Sequence, residues 1–264
     1  MIIDSHNHIS EHGVPAETLI RHMDHSFMPG ASKLRVDYSM SQGEMAQNPT
    51  QQFDYAKQHE YLLGAIKKYP DRLVGMMVIN PWYEVPSALK VLDRLVNEGV
   101  RSVKLHPKLH NFRPDDDIKL LGPILEKAAR MKLPVHIHTG DPFCEPGRIE
   151  YVAERYPDTI IVMCHMASQM VTYTTDAVGV CKRREKVYLE TGFHEKRLKE
   201  AVKALGAEKV IFASDCPIND IWTGVTMVKA LELGYPIGIG LSEEDTGKIL
   251  GENARKMLGL QVSR

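Results

Sequence analysis

The feature that most constrains this chain is a recurrence of apolar, strand-like runs. They end at His106, His138, His165, Thr191 and Asp215, spaced roughly 25–30 residues apart, the length of a strand–helix unit with its loops. Helical patterns fill the intervals, over residues 118–131, 146–156, near 168–182 and over 194–205. Upstream, the run 73–79 closes at Asn80-Pro81. A helix over 86–97 follows and stops at Glu98-Gly99, where glycine ends a helix without steric penalty. Strands are therefore expected over 73–79, 101–106, 134–138, 159–165, 186–191 and 209–215. Alternation at this spacing argues for a parallel sheet. Counting back from Asp215 makes these strands three to eight, with 2–6 as the first. An α/β fold of the (β/α)8 TIM-barrel type follows if one more strand lies between residues 10 and 72. The best candidate is 34–40, followed by a polar stretch over 41–52 and a helix over roughly 51–69. The second βα unit thus reads as irregular. No internal repeat, low-complexity segment or linker interrupts the chain, so residues 1–264 are expected to form a single domain.

A chain of 264 residues suits one such barrel. Hydrophobic residues make up 43% and charged residues 25%, ordinary values for a soluble globular enzyme. The 33 basic and 34 acidic residues are interspersed and leave a net charge of -1. That removes the electrostatic reason to expect a nucleic-acid or anionic-membrane partner. No apolar run reaches the length of a membrane span, and the N-terminus lacks the basic-then-apolar order of a secretion signal. A cytoplasmic protein with a small-molecule substrate is expected. Cys144, Cys164, Cys181 and Cys216 form no C-x-x-C pair and read as reduced thiols. Cys164 and Cys216 each adjoin a candidate functional residue, but strand alternation is expected to turn them away from it.

The candidate residues gather where the strands end. Asp4, His6 and His8 follow the apolar start Met1-Ile2-Ile3. Side chains two apart on a strand share a face, so the imidazoles of His6 and His8 point the same way. Such a pair can bind one divalent metal, or can be two satisfied polar histidines. Active sites of these barrels lie at the C-terminal ends of the strands. The polar residues expected there are His6 and His8, Lys104 and His106, His136 and His138, His165, and Asp215. Burying so many titratable groups unpartnered is costly, and a shared metal would offset that cost.

These segments resemble the amidohydrolase superfamily in order and spacing. The matching motifs are Ile3-Asp4-Ser5-His6-Asn7-His8, Val103-Lys104-Leu105-His106-Pro107, Ile137-His138-Thr139-Gly140, Cys164-His165-Met166 and Ala213-Ser214-Asp215-Cys216-Pro217. The closer resemblance is to its amidohydrolase-2 branch, which includes non-oxidative decarboxylases similar to aminocarboxymuconate semialdehyde decarboxylase. The tail Gly251-Glu252-Asn253-Ala254-Arg255-Lys256-Met257-Leu258 resembles the terminal helix of that branch. Residues 10–50 depart from its usual second βα unit, and loops there often contact substrate.

The resemblance implies that His6, His8, His138 and Asp215 ligate one divalent metal, zinc before manganese or iron. Three imidazoles and one carboxylate suit zinc and leave a position open for water or substrate. Asp215 would accept the proton of a metal-activated water, and His165 would act as general acid/base or polarise a substrate oxygen. His106 is placed to touch substrate. Lys104 and His136 share faces with His106 and His138 one layer deeper, so both are expected in the barrel interior. Lys104 is expected to be ion-paired there, the alternative being a carboxylated lysine bridging two metals. Asp4 is expected to orient a ligand histidine. Glu190 fits either substrate contact or pairing between strands. The leading function is a metal-dependent hydrolase of an amide, lactone or ester-like carbonyl. The alternative is a metal-dependent decarboxylase of an unsaturated or aromatic acid, in which the metal would hold the substrate oxygens; a basic carboxylate clamp near the mouth would favour it, and Arg35 and Arg113 are the sequence candidates. A barrel that holds metal only for structure is the third reading. The resemblance leaves a homodimer open.

Overall fold

The computed structural model describes residues 1–25, 34–43, 55–82, 85–167 and 171–261. Parallel strands stand in chain order around one sheet: β1 (Ile3–His8), β2 (Tyr38–Gln42), β3 (Leu73–Val78), β4 (Val100–Leu105), β5 (Val135–Ile137), β6 (Ile161–Met163), β7 (Val187–Glu190) and β8 (Val210–Ile211). The sheet closes on itself through backbone hydrogen bonds between β1 and the segment after β8. Ser5 N–H donates to the Phe212 carbonyl at 3.0 Å, Asp215 N–H to His6 at 2.8 Å, and His8 N–H to Cys216 at 2.8 Å. The fold is a single-domain (β/α)8 barrel.

Strands β3 and β5 to β8 fall inside the expected runs, β4 starts one residue early, and the helix Ile118–Met131 has the expected bounds. Two strands differ. β1 continues to His8, with a bulge that lets Asp4 face Ser39 and Asn7 face Ser41. The sequence places β2 at 34–40, whereas it runs Tyr38–Gln42. The ladder explains the shift, because β1 begins at Ile3 and Tyr38 is its partner. Before that point Asp37 holds Ile2, the residue preceding β1: its N–H donates to the Ile2 carbonyl at 2.8 Å, and its carboxylate accepts from Ile2 N–H at 2.8 Å. The helix expected over 51–69 runs Tyr55–Lys68, and the one expected near 168–182 runs Val171–Arg183. Residues 44–54, which include most of the polar stretch, lie outside the described residues.

The barrel interior is filled in two ways. Near the N-terminal ends of the strands, Ile3, Met40, Val74, Met76, Val162 and Ile211 make an apolar plug, closed below by Ala254 and Leu258. Above it, Ser102, Lys104, His136 and Glu190 are buried on inward faces where hydrocarbon would be the cheaper filling. A second apolar core, between the strands and the surrounding helices, includes Leu62, Leu92, Leu121, Leu125 and Trp222. Among the described residues, no helix is long and apolar enough to cross a membrane.

The C-terminal segment fastens the first strand to the last. Helix Glu243–Gly247 passes through a π turn, Lys248–Glu252, into helix Asn253–Met257. A π turn breaks the regular i to i+4 ladder, and the Ile249 carbonyl accepts from Phe212 N–H at 2.9 Å. Asn253 Nδ2 donates to the carbonyls of Ala207 and Val210 at 2.8 and 2.9 Å. Gly251 lies so close to the start of β1 that an added Cβ would stand 2.7 Å from the Met1 carbonyl oxygen. At Gly247 an added Cβ would meet nothing within 4 Å. Gly251→Ala should therefore lower unfolding free energy by about 1–3 kcal/mol despite alanine's better helix propensity. Gly247→Ala should raise it by up to about 1 kcal/mol. Urea titration of the two variants beside the parent measures both.

Candidate active site

A cavity of about 460 Å³ opens at the C-terminal ends of the strands. His6, His8, Lys104, His106, His138, His165 and Asp215 line it, and Ile9, Val14, Leu109, Phe193, Pro217 and Ile218 supply apolar wall. Residues up to 212 positions apart in sequence thus meet because the barrel closes where β8 returns to β1.

Asp215 is the centre of the cluster. Its Oδ1 lies 2.9 Å from His8 Nε2 and 3.4 Å from His6 Nε2, and its Oδ2 lies 3.6 Å from His165 Nδ1. Burial works to raise its pKa, but the neighbouring His6 and the hydrogen bond to His8 outweigh it and hold the carboxyl down to about 2. His6 and His165 go the other way from the usual imidazole, well below its ordinary value, first by burial and then by neighbouring positive groups including Lys104. Burial likewise lowers His138. These rings are therefore neutral at neutral pH, the form that binds metal.

The donor set fits a divalent cation. Single ligand atoms from His6, His8 and Asp215 all lie within 4.8 Å of one another. His6 Nδ1 lies 3.1 Å from Glu190 Oε2, so an ionised Glu190 places the ring proton on Nδ1 and leaves the Nε2 lone pair toward Asp215. Lys104 Nζ lies 3.1 Å from the same Nε2, so a bound metal would replace that hydrogen bond. His138, expected as a fourth ligand, stands beside this trio. Its ring stacks on His106 with centroids 3.9 Å apart and packs edge-on to His165 at 4.8 Å. Its Nε2 is 3.1 Å from Asp141 Oδ2, which leaves Nδ1 as the nitrogen with a free lone pair when Nε2 carries the proton.

The remaining expected residues fall in distinct places. Leu109 N–H donates to His106 Nδ1 at 3.3 Å, so that ring carries its proton on Nε2 and can donate to a ligand. His136 is in the interior, its Nδ1 2.7 Å from Ser102 Oγ and its Nε2 3.7 Å from Glu190. Lys104 is interior too, but it is not ion-paired. Its partners are His6 and, at 3.1 Å, Cys164 Sγ, and among the described residues no carboxylate oxygen lies within 4.0 Å. The ring of strands at this level offers imidazole and thiol where the expectation supposed an acid. Asp4 orients backbone rather than a histidine ring. It accepts from Ser214 N–H at 2.9 Å, from Ser214 Oγ at 2.7 Å and from His6 N–H at 3.3 Å, and burial raises its pKa to about 7.

Cys164 overturns the alternation argument. Its Sγ lies inside the barrel, within 4.8 Å of ligand atoms of His6 and His165. Cys164 shares the inward face of Val162, and it is His165 that leaves strand geometry: β6 ends at Met163, and His165, Met166 and Ala167 have φ of 60°, 54° and 51°. Such left-handed conformations cost roughly 1–2 kcal/mol each for non-glycine residues. Neighbours hold this turn. Thr139 Oγ1 donates to the Cys164 carbonyl at 2.6 Å, and Glu190 Oε2 accepts from His165 N–H at 3.2 Å. Gly140 lies against it so closely that a Cβ would stand 2.8 Å from the Ala167 carbonyl carbon. Asp215 is also left-handed, with φ 57°.

Several site residues escape sequence reasoning. Gln42 Nε2 approaches His8 Nδ1 at 2.9 Å, and the Asn7 side chain bonds Ser39 and Ser41, with Ser41 at 2.7 Å. Phe193 stacks on His165 with centroids 5.5 Å apart. Only Asp141, three residues after His138 and next to Gly140, carried a readable signal, a carboxylate in the same loop as a candidate ligand.

Solved structures share this architecture. A candidate 2-pyrone-4,6-dicarboxylic acid hydrolase from Pseudomonas putida is 18% identical, with a TM-score of 0.70 over 99% of this chain and 98% of that one. A 5-carboxyvanillate decarboxylase from Novosphingobium aromaticivorans, solved with bound manganese, is 13% identical, with a TM-score of 0.70 over 98% and 97%. A 4-oxalomesaconate hydratase from Rhodopseudomonas palustris is 15% identical, with a TM-score of 0.65 over 98% and 96%. At such identities the likeness is one of fold. No curated protein matches the chain. The family model described as Amidohydrolase matches residues 3–260, nearly the whole sequence, and so the chain belongs to the amidohydrolase family, in the amidohydrolase-2 branch that its strand-end motifs resemble.

Proposed function

We propose that this protein is a metal-dependent hydrolase acting on an ester-like, lactone or amide carbonyl of a small molecule. The observation that carries this reading is the placement of Asp215. One oxygen faces the imidazoles of His6 and His8, and the other faces His165 across 3.6 Å. His6, His8 and Asp215 would hold the metal, with His138 as a further donor. When bound, such a metal polarises a carbonyl and lowers the pKa of water toward neutrality. Asp215, ionised at neutral pH, takes the proton from the attacking water. A carboxylate this acidic is a weak base, which suits it to water already acidified. His165, neutral at rest, receives that proton from Asp215 Oδ2, 3.6 Å from its Nδ1, and passes it to the leaving group, with the Phe193 ring stacked on it. The Nε2–H of His106 donates to the substrate.

A basic side chain gripping the substrate carboxylate beside the metal would favour decarboxylation. Arg35 instead faces Asp37 at 3.4 Å with 61% of its side chain exposed, and Arg113 lies 3.8 Å from Asp116 and over the Phe143 ring. Neither lines the cavity. Their positions favour hydrolysis.

The protein should carry about one equivalent of divalent metal per chain by elemental analysis, zinc before manganese or iron. Asp215→Asn and His138→Ala should each lower that occupancy, and retention of full metal by both variants would sink the ligand assignment. His165→Asn should keep its metal yet lower kcat on aryl esters or lactones by about 10²–10⁴-fold. Equal kcat in parent and variant would remove His165 from the proton path.

A further inference from the structure

Building on the hydrolase reading, we propose that the cavity selects substrates with an apolar, ring-sized body and one polar reacting group, and rejects molecules that carry a second carboxylate. Charge is the first ground. Among the described residues that line the cavity, Lys104 is the only lysine or arginine. It is 1% exposed and already donates to His6 Nε2 and Cys164 Sγ at 3.1 Å each. Outside the described residues the sequence holds only two further cations, Lys33 and Arg264. A second substrate carboxylate, held away from the metal-binding residues, would thus lie along Val14, Leu109, Phe193, Pro217 and Ile218 with no lysine or arginine to pair it. Moving an unpartnered carboxylate out of water is strongly unfavourable.

Shape is the second ground. Two flat ring faces border the reacting groups: Phe193, stacked on His165 at an interplanar angle of 26°, and His106, stacked on His138 at 14°. Leu109 and Ile218 extend the apolar wall. Ile218 is a large aliphatic side chain left 73% exposed at the mouth, where an entering ring would cover it. A cavity of about 460 Å³ admits a single substituted ring. The structural neighbour named for a dicarboxylic acid shares the barrel, so a difference in substrate would reside in these wall residues.

Calorimetric titration of the metal-loaded protein with benzoate, isophthalate and acetate tests this, with metal content measured on the same samples. Benzoate should bind at least about tenfold tighter than acetate, from burial of the ring. Isophthalate should bind at least about tenfold weaker than benzoate, from the unpaired second carboxylate. Phe193→Ala and the exposed-site change Ile218→Ser should each weaken benzoate several-fold and leave acetate unchanged. Isophthalate binding as tightly as benzoate, acetate matching benzoate, or no binding of any probe to metal-loaded protein would overturn the specificity proposal while leaving the metal site standing. A protein that takes up no metal would overturn the hydrolase reading itself, and this inference with it.

Discussion

The hydrogen bond from Asp215 N–H to the His6 carbonyl, at 2.8 Å, is the contact on which the rest depends. It is one rung of the closure between the first strand and the end of the last. The same rung sets the Asp215 carboxylate beside two imidazoles that precede it by more than two hundred residues. Closing so long a loop costs chain entropy that grows only slowly with length, but the rung needs both strand ends fixed. The C-terminal helix supplies that. Its π turn sends the Ile249 carbonyl to Phe212, and Gly251 lets the helix approach the start of β1 closely. A segment that touches none of the reacting groups therefore decides whether they meet.

Above this closure the site stores backbone strain. His165 and Asp215, the two residues proposed to move protons, both have left-handed φ without being glycine. Each is held by a buried carboxylate from a neighbouring strand: Glu190 accepts from His165 N–H, and Asp4 accepts from Ser214 beside Asp215. Left-handed geometry ends the strand abruptly and swings the side chain over the mouth rather than along the barrel wall. Cys164, two residues after the inward Val162, keeps the inward side by alternation, and the turn brings His165 to the mouth beside it.

Most of the architecture was legible in the sequence because period and spacing are properties of the chain alone. A parallel strand buried on both faces reads as a short apolar run, and its helix as a 3.6-residue pattern. The histidines and Asp215 could be placed at strand ends for the same reason. β2 was not, since Tyr38–Gln42 is half polar and its bounds are set by which residues of β1 it faces. The partners of the buried groups were not legible either. That Lys104 would meet imidazole and thiol, that Asp4 would serve Ser214, and that Glu190 would join His6 to the His165 turn all depend on register between distant strands. No local pattern encodes register.

Four buried carboxylates show how the barrel separates structural from chemical roles. Burial raises Asp4 to about 7 and raises Glu190 as well; their partners include the backbone amides of Ser214 and His165. Burial also pushes against Asp215 and Asp141, yet both end below the ordinary carboxylate range, because each faces the Nε2 of a cavity histidine. Environments that drive like groups apart in pKa are the means by which a site assigns different tasks to identical chemistry. Here the two acids held below the ordinary range each face the Nε2 of a cavity histidine, while the two that burial pushes up, Asp4 and Glu190, also accept from backbone amides. A cation bound at His6, His8 and Asp215 would meet a negative charge already in place, while the barrel beneath it gives up as little charge burial as its polar layer allows.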